Sequence, residues 1–424
     1  MMRRGYTKAR AGLVQTHKAA FKVTRLSRSA IPRPLIVAPH ARTDSLISGI
    51  IGASGAQERS GGAQEVMGKI SDMLDVSARR PTAGSALTRL HQVLAADEFS
   101  RDVALAGLGR WRIGGPADLV VTPRSTESLA AALRVIAETG VPHVVIGDGS
   151  NLLFDDEGFR GVVVRVGRAF GGFAAKPDGH VEAGAGLWVP SFVRQVIEAG
   201  LAGATHAIGI PGTLGGLVTM NGGSQRRGIG ENVLSVDVVK RDGTRRRIDR
   251  TELRYSYRAS ALQDAGAIVV AARFRFEPGD RHALRREAIG ILAARRAKFP
   301  RVRANCGSVF VSDPKLYSLI GPPGLAIERA GLKGFAIGDA QISPDHANFI
   351  VNNGRARSAD VLALIGLARE RVRALTGIAM DAEVRHLASF WWRRCTEQSR
   401  VCRWMVRPWP SAKTCTSTWR GFWR

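Results

Sequence analysis

The apolar positions change period several times along the chain, and each change marks an element. Between 126 and 139, Leu129, Ala132, Leu133 and Ile136 recur at helical spacing. Ser125 stands where a cap belongs and Gly140 where a helix stops. Pro142 leads into an apolar run, His143-Val-Val-Ile146, and residues 161–166 form another after a turn, so two strands are expected. A helix is predicted over 189–199, with Pro190 in its first turn, a stripe of Val189, Phe192, Val193, Val196 and Ile197, and Gly200 behind it. Residues 233–240 read as a strand that turns at Arg241-Asp-Gly-Thr244, a hairpin signal, and 267–276 as a further strand. A long basic helix is expected over 281–298, stopped by Pro300. Beyond it come a helix near 323–331, strands around 335–338 and 347–352, and a helix capped by Ser358 that runs to about 376 and ends at Gly377. Last, Met380, Ala382 and Val384 alternate with Asp381, Glu383 and Arg385, which on a strand places the three charged residues on one face.

Helices and strands mixed in this order predict an α+β protein, and 424 residues suffice for two or three domains with real cores. No uninterrupted apolar run reaches the ~18–20 residues of a membrane span, so no membrane partner is expected. The net charge of +26 would suggest nucleic acid, but its position argues otherwise. Residues 1–43 hold ten Lys/Arg and no acid, and 388–424 hold eight Lys/Arg and one Glu. The middle is only mildly basic, which suits a small anionic substrate, and nucleic acid is not expected as a partner. The first 43 residues resemble an organelle transit segment in composition; the reading preferred here is a disordered or mis-assigned start, with Met67 or Met73 as later candidates. Residues 388–424 carry six of the eight Trp residues with no period, and a disordered tail is expected there. Four cysteines, Cys306, Cys395, Cys402 and Cys415, form no C-x-x-C pair, so neither a zinc site nor a disulfide framework is read, and a reducing cytoplasm fits.

Two glycine-rich stretches point to chemistry. Gly147-Asp148-Gly149-Ser150-Asn151-Leu152 follows a strand, and Gly209-Ile210-Pro211-Gly212-Thr213-Leu-Gly215-Gly216 precedes a short helical stretch. Glycine lets backbone N–H groups converge on a ligand without Cβ atoms in the way, and two such loops together suit a pyrophosphate. No Gly-x-Gly-x-x-Gly fingerprint follows a strand, and there is no P-loop, no Gly-x-Ser-x-Gly and no metal cluster. A dinucleotide, if bound, is therefore held by an architecture other than the Rossmann fold.

These residues resemble the UDP-N-acetylenolpyruvoylglucosamine reductase family. The resemblance is carried by Arg112-Ile-Gly-Gly-Pro-Ala-Asp118, the two glycine loops, Tyr257-Arg-Ala-Ser260, Gly307-Ser-Val-Phe310, Ala330-Gly-Leu-Lys-Gly334, His346-Ala-Asn-Phe-Ile-Val-Asn352 and Glu383-Val-Arg385. It runs in family order over about 98–387, in the pattern of the shorter subtype. It implies a two-subdomain FAD-binding fold (PCMH-type) followed by a C-terminal α/β substrate-binding domain. The division expected is 1–97 as a basic N-terminal extension, 98–168 and 169–280 as the FAD-binding subdomains, 281–387 as the substrate domain and 388–424 as a tail. It further implies a cytoplasmic enzyme, expected to be a monomer, that uses FAD and NADPH in turn to reduce UDP-N-acetylglucosamine enolpyruvate to UDP-N-acetylmuramate for the bacterial cell wall.

By the same resemblance FAD contacts both glycine loops and Asn221, and Tyr257 and Lys298 meet the substrate. Ser308 gives a proton to carbon, Arg258 holds the developing enolate through its fork, and Glu383 shares a hydrogen bond to the same oxygens. Read from the residues alone, Ser308 is as well a turn hydroxyl, Lys298 a helix-end lysine and His346 a core histidine. Two departures stand out: Phe310 is followed by Val-Ser-Asp-Pro where the family has Lys-Asn-Pro, and Asn221-Gly-Gly223 replaces Asn-Ala-Gly. Rival readings are a polyol or lactone oxidase of the same fold and a non-enzymatic protein that binds through its basic ends.

Overall fold

A computed structural model describes residues 83–389, apart from residue 264. The expected features of 1–82 and of 390–424 lie outside the described residues. The first segment runs α1 (Ala83–Val93), β1 (Phe99–Ala104), β2 (Pro116–Val121), α2 (Thr126–Thr139), β3 (His143–Ile146), β4 (Leu152–Phe154) and β5 (Phe159–Arg165). The expected extension to residue 97 is corrected here: α1 is a formed helix whose Ala86 and Leu90 are fully buried in the same core as α2. Its apolar spacing is short and sits among Thr, Arg, His and Gln, so it did not stand out from its basic surroundings. Strands pair in the order β1-β2-β5-β3, with β2 and β3 both parallel to β5. A strand central to parallel pairs is covered on both faces, and β5 shows it: Val162 and Val164 enter one core, Val163 another. α2 is held at its start by Ser125, whose hydroxyl accepts from the Ser128 N–H at 3.1 Å, and ends at left-handed Gly140.

The second segment runs β6 (Phe173–Ala175), β7 (His180–Gly184), α3 (Val189–Glu198), β8 (Leu201–Ala202), α4 (Leu214–Thr219), β9 (Val233–Lys240), β10 (Arg245–Asp249), α5 (Arg250–Leu253), β11 (Ala267–Arg275) and β12 (Glu277–Pro278). Its five-stranded antiparallel sheet has the order β10-β9-β11-β7-β6. α3 buries the expected stripe, with Phe192 packed on Phe274 and Phe276. The sheet, α3 and α2 share one continuous core, so the two expected subdomains are welded together.

The third segment runs α6 (Arg281–Lys298), α7 (Pro314–Ile320), α8 (Pro323–Arg329), β13 (Ala336–Ile337), β14 (Ala340–Ile342), β15 (Ile350–Asn352), α9 (Ser358–Thr376) and β16 (Arg385–Leu387). Here a second expectation is corrected. Helix α6 does not open the last domain: Leu284, Ala288 and Ile291 bury into the core of the preceding segment. The helix also carries Ile289 and Leu292 exposed at the cleft, so its apolar residues lie on more than one face and its sequence does not say which neighbour it joins. The separate last core contains Leu316, Ile327, Ile350, Leu364 and Val372, and it also takes in Trp111, Ile113 and Leu153 from the first segment. Trp111 Nε1 donates to Ile350 O at 2.8 Å, and Asn352 Nδ2 donates to Trp111 O at 2.9 Å. The third segment also meets the first where β16 pairs parallel with β4.

Helix α9 begins at Ser358 and is not capped by it. Asp156, 202 residues away, supplies the cap: Oδ1 accepts from Ser358 N–H at 2.9 Å and Oδ2 from the Ser358 hydroxyl at 2.8 Å. Asp313 caps α7 by accepting from the N–H groups of Lys315 and Leu316.

Candidate active site

A cleft of about 1890 Å³ lies between the three segments. That is near twice the upper end of an ordinary single-ligand pocket, roughly 300–1,000 Å³, and leaves room for a large cofactor and a second molecule. One wall is made by the two glycine loops. Gly147 to Leu152 and Gly209 to Thr213 all line it, together with Gly215 and Gly216. The loops touch, which is why glycine is needed. A Cβ on Gly147 would lie 2.3 Å from Thr213 Oγ1, and one on Gly212, whose φ is +127°, would lie 2.7 Å from Ser150 Oγ. Gly149, at φ +61°, packs against the backbone of Leu108 and Gly109. The result is a backbone-lined cradle that an elongated, phosphate-bearing cofactor fits.

The candidate catalytic groups adjoin this wall: Asn151 Nδ2 of the first glycine loop donates to Glu383 O at 3.1 Å, and Arg385 N–H donates to Asn151 O at 3.0 Å. Ser308, Arg258 and Glu383 all line the cleft, as do Tyr257 and Lys298. Backbone pairing brings Ser308 and Glu383 together across 75 residues. Glu383 N–H donates to Val309 O at 2.7 Å, Val311 N–H donates to Asp381 O at 2.9 Å, and Phe310 bridges Ala382. Asn348 locks this loop from the other side. Its backbone O accepts from Val309 N–H, its Oδ1 accepts from Phe310 N–H, and its Nδ2 donates to Phe310 O at 3.0 Å. Asn348 thus substitutes for a neighbouring strand, a role its sequence context did not show. Cys306 sits just before, 5% exposed, with Sγ 3.4 Å from Leu152 O; burial pushes its thiol up to about 12, so it packs and does not react.

Arg258 and Glu383 form an ion pair, Nε to Oε1 3.0 Å. The Nε–H makes no formed hydrogen bond there, so the contact is held by charge and not by a directed N–H. Arg258 Nη2 instead donates to Gly223 O at 3.0 Å. Glu383 is largely buried, and burial raises its carboxyl above the ordinary carboxylate value while Arg258 opposes the rise. Gln263 ties the region together: its Nε2 donates to Arg258 O at 2.9 Å, and its Oε1 accepts from Arg385 at 2.9 Å.

One expected contact is not on the wall. Asn221 does not line the cleft, although Met220 and Gly222 do, and its amide is bonded to Ser256 O and Gly230 N–H. One cleft residue was not singled out by sequence reasoning. Arg295 of α6 lies beside Gly209, its Cζ 4.5 Å from the Phe299 ring centroid, and no ion pair to it occurs among the described residues. Burial and the nearby Arg258 charge lower its proton affinity. Its signal was only one more basic residue in the last turn of a basic helix. His346 lines the cleft and is half-buried; its Nδ1 accepts from Asn348 N–H at 3.2 Å, its ring packs on Phe349, and burial lowers its pKa. Among the described residues no His/Cys/Asp/Glu group could hold a metal, and no helix is long and apolar enough to cross a membrane.

The chain matches two family models: residues 117–249 match an FAD binding domain, and 299–387 the C-terminal domain of UDP-N-acetylenolpyruvoylglucosamine reductase. It is 46% identical over 290 residues to UDP-N-acetylenolpyruvoylglucosamine reductase 1 of Corynebacterium glutamicum, covering 68% of this chain and 86% of the relative. The chain belongs to the UDP-N-acetylenolpyruvoylglucosamine reductase family. A second member, from Heliobacterium modesticaldum, is 46% identical over 275 residues, covering 65% of this chain and 86% of its own length. The crystal structure of the reductase from Thermus caldophilus superposes with a TM-score of 0.57 at 32% identity, covering 68% of this chain and 98% of that one. As a reductase of this family the protein is an FAD-dependent oxidoreductase of α+β fold, acting in peptidoglycan synthesis. The family model for the last domain begins at 299, just past α6, in keeping with the packing of that helix.

Proposed function

We propose that the protein reduces UDP-N-acetylglucosamine enolpyruvate to UDP-N-acetylmuramate, with NADPH as the reductant. The observation that supports the reading is that one cleft is lined by Ser308, Arg258 and Glu383 together with the glycine loops, with Glu383 paired to Arg258 and bonded by its backbone to the residue after Ser308. Bound FAD, held by the two loops, supplies hydride transfer. The substrate is an enol ether conjugated to a carboxylate. When its outer alkene carbon gains hydride, charge builds on the carbon beside the carboxylate and spreads to the carboxylate oxygens. Arg258 meets those oxygens with its guanidinium fork. Glu383, paired with Arg258, stands beside it and shares a hydrogen bond to the same oxygens. Ser308 Oγ–H gives its proton to the carbon and regains one from solvent. Tyr257 and Lys298 contact the nucleotide-sugar portion, and the cation of Arg295 adds to a cleft suited to anionic ligands. The substrate-binding unit in this reading starts near 299. The reading carries a cytoplasmic location with it, in keeping with the free buried thiol of Cys306.

Stopped-flow absorbance separates the two halves of the reaction. Ser308→Ala should accept electrons from NADPH at close to the normal rate, because that half delivers no proton to the sugar. Its reoxidation by the enolpyruvyl sugar should slow by ~10²–10⁴-fold, the usual contribution of a general acid. Equal slowing of both halves would mean that Ser308 shapes the pocket and delivers no proton.

A further inference from the structure

Asn221 was expected to touch the cofactor, and its surroundings give it different work. Its Nδ2 donates to Ser256 O at 2.7 Å, and its Oδ1 accepts from Gly230 N–H at 2.9 Å. Ser256 O is the carbonyl that closes the tight turn 256–259, since it also accepts from Ala259 N–H at 3.2 Å. Tyr257 and Arg258 form the tip of that turn. Arg258 is held at φ +55°, a left-handed conformation that costs a non-glycine residue free energy and persists only where the surroundings over-determine it. The same short segment grips the other end of Arg258, because Gly223 O accepts from the guanidinium. Asn221 is itself left-handed at φ +44°, which asparagine tolerates better than most residues. The fit around it is close: a Cβ on Gly228 would lie 2.5 Å from Asn221 Oδ1 and one on Gly230 2.8 Å from it.

We infer that Asn221 is a positioning residue for Arg258, clamping the turn that aims the guanidinium into the cleft, and is not a ligand of the cofactor. The inference rests on the role given to Arg258 above. Asn221→Gly keeps the left-handed backbone and deletes both side-chain bonds. Asn221→Asp keeps the acceptor for Gly230 and sets a carboxylate oxygen against Ser256 O. In the full chain both variants should bind FAD with wild-type affinity and be reduced by NADPH at the wild-type rate. Reoxidation by the enolpyruvyl sugar should slow ~10–100-fold, the scale of loss when a catalytic group is misplaced by about 1 Å. The double variant with Arg258→Lys should be no slower than Arg258→Lys alone, because the two residues then act as one unit. Should Asn221→Gly fail to fold, Asn221→Asp carries the same test. Weakened FAD binding with normal reoxidation at saturating FAD would make Asn221 a cofactor ligand and overturn the inference. Independent, multiplying defects in the double variant would overturn it too. If Arg258→Lys alone reoxidises normally, the role of Arg258 is what fails, and the inference falls with it.

Discussion

Replacing Gly212 with Val tests whether the cradle owes its shape to glycine. The residue sits at φ +127°, where a β-branched side chain is strongly disfavoured. Residues held in such regions cost about 1–3 kcal/mol. The new Cβ would also lie 2.7 Å from Ser150 Oγ, a contact the serine can relieve by rotating, so the backbone strain outweighs the clash. That strain has two outlets. If the loop keeps its conformation, the whole protein loses about 1–3 kcal/mol of stability. If the loop relaxes, FAD must restore it on binding, and the same free energy appears as a loss of affinity of roughly 5- to 140-fold, at about 1.4 kcal/mol per tenfold. Titration of the cofactor-free protein with FAD, followed by flavin fluorescence, measures the second, and thermal melting measures the first. Gly216→Ala is the control: its φ is ordinary and its Cβ would meet only Thr213 Oγ1, at 3.6 Å, so the fold should not suffer. An unchanged Kd together with an unchanged Tm for Gly212→Val would refute the argument that this loop is strained into place for the cofactor.

Two further outcomes follow from groups outside the cradle. Burial raises the folded-state pKa of Glu383 above its ordinary 4.5, so its favourable contribution is complete below that value and is lost as pH rises through the raised one. The cofactor-free protein should therefore lose melting temperature relative to Glu383→Gln as pH climbs from 4.5, and a flat or opposite difference would show that Arg258 outweighs burial. Asn352→Ala should cost about 2–4 kcal/mol in denaturant unfolding, since it strands Trp111 O and the N–H groups of Gly354 and Ala356; a loss under about 0.5 kcal/mol would mean that water replaces the amide.

The local elements were legible because their causes are local. Helix α2 carries its stripe, cap and stop within one short stretch of chain, and the β9–β10 hairpin carries its turn in Asp242-Gly243, with Gly243 at φ +78°. The glycine loops and the three catalytic candidates were legible for another reason: the same residue types in the same order occur in a known family, and the chemistry of each type narrows its use. Which distant groups hydrogen-bond to one another emerges with the folded chain alone. Asn221 looked like one more member of a cofactor loop, and only the folding of residue 256 against it shows that its amide is already bound. Ser358 looked like a cap until Asp156 arrived from the first segment to take that place. Helix α6 could not be assigned to a domain from its charge pattern, because its apolar residues lie on more than one face, and the burial of Leu284, Ala288 and Ile291 in the middle core settled it. Glu383 on an alternating strand reads as a solvated carboxylate; in the fold it lies in a bend just before β16, and burial, opposed by Arg258, raises its pKa. Periodicity and turn chemistry act over a few residues and are written in the sequence, whereas burial and hydrogen-bond partnership are sums over everything nearby in space, which the linear order does not contain.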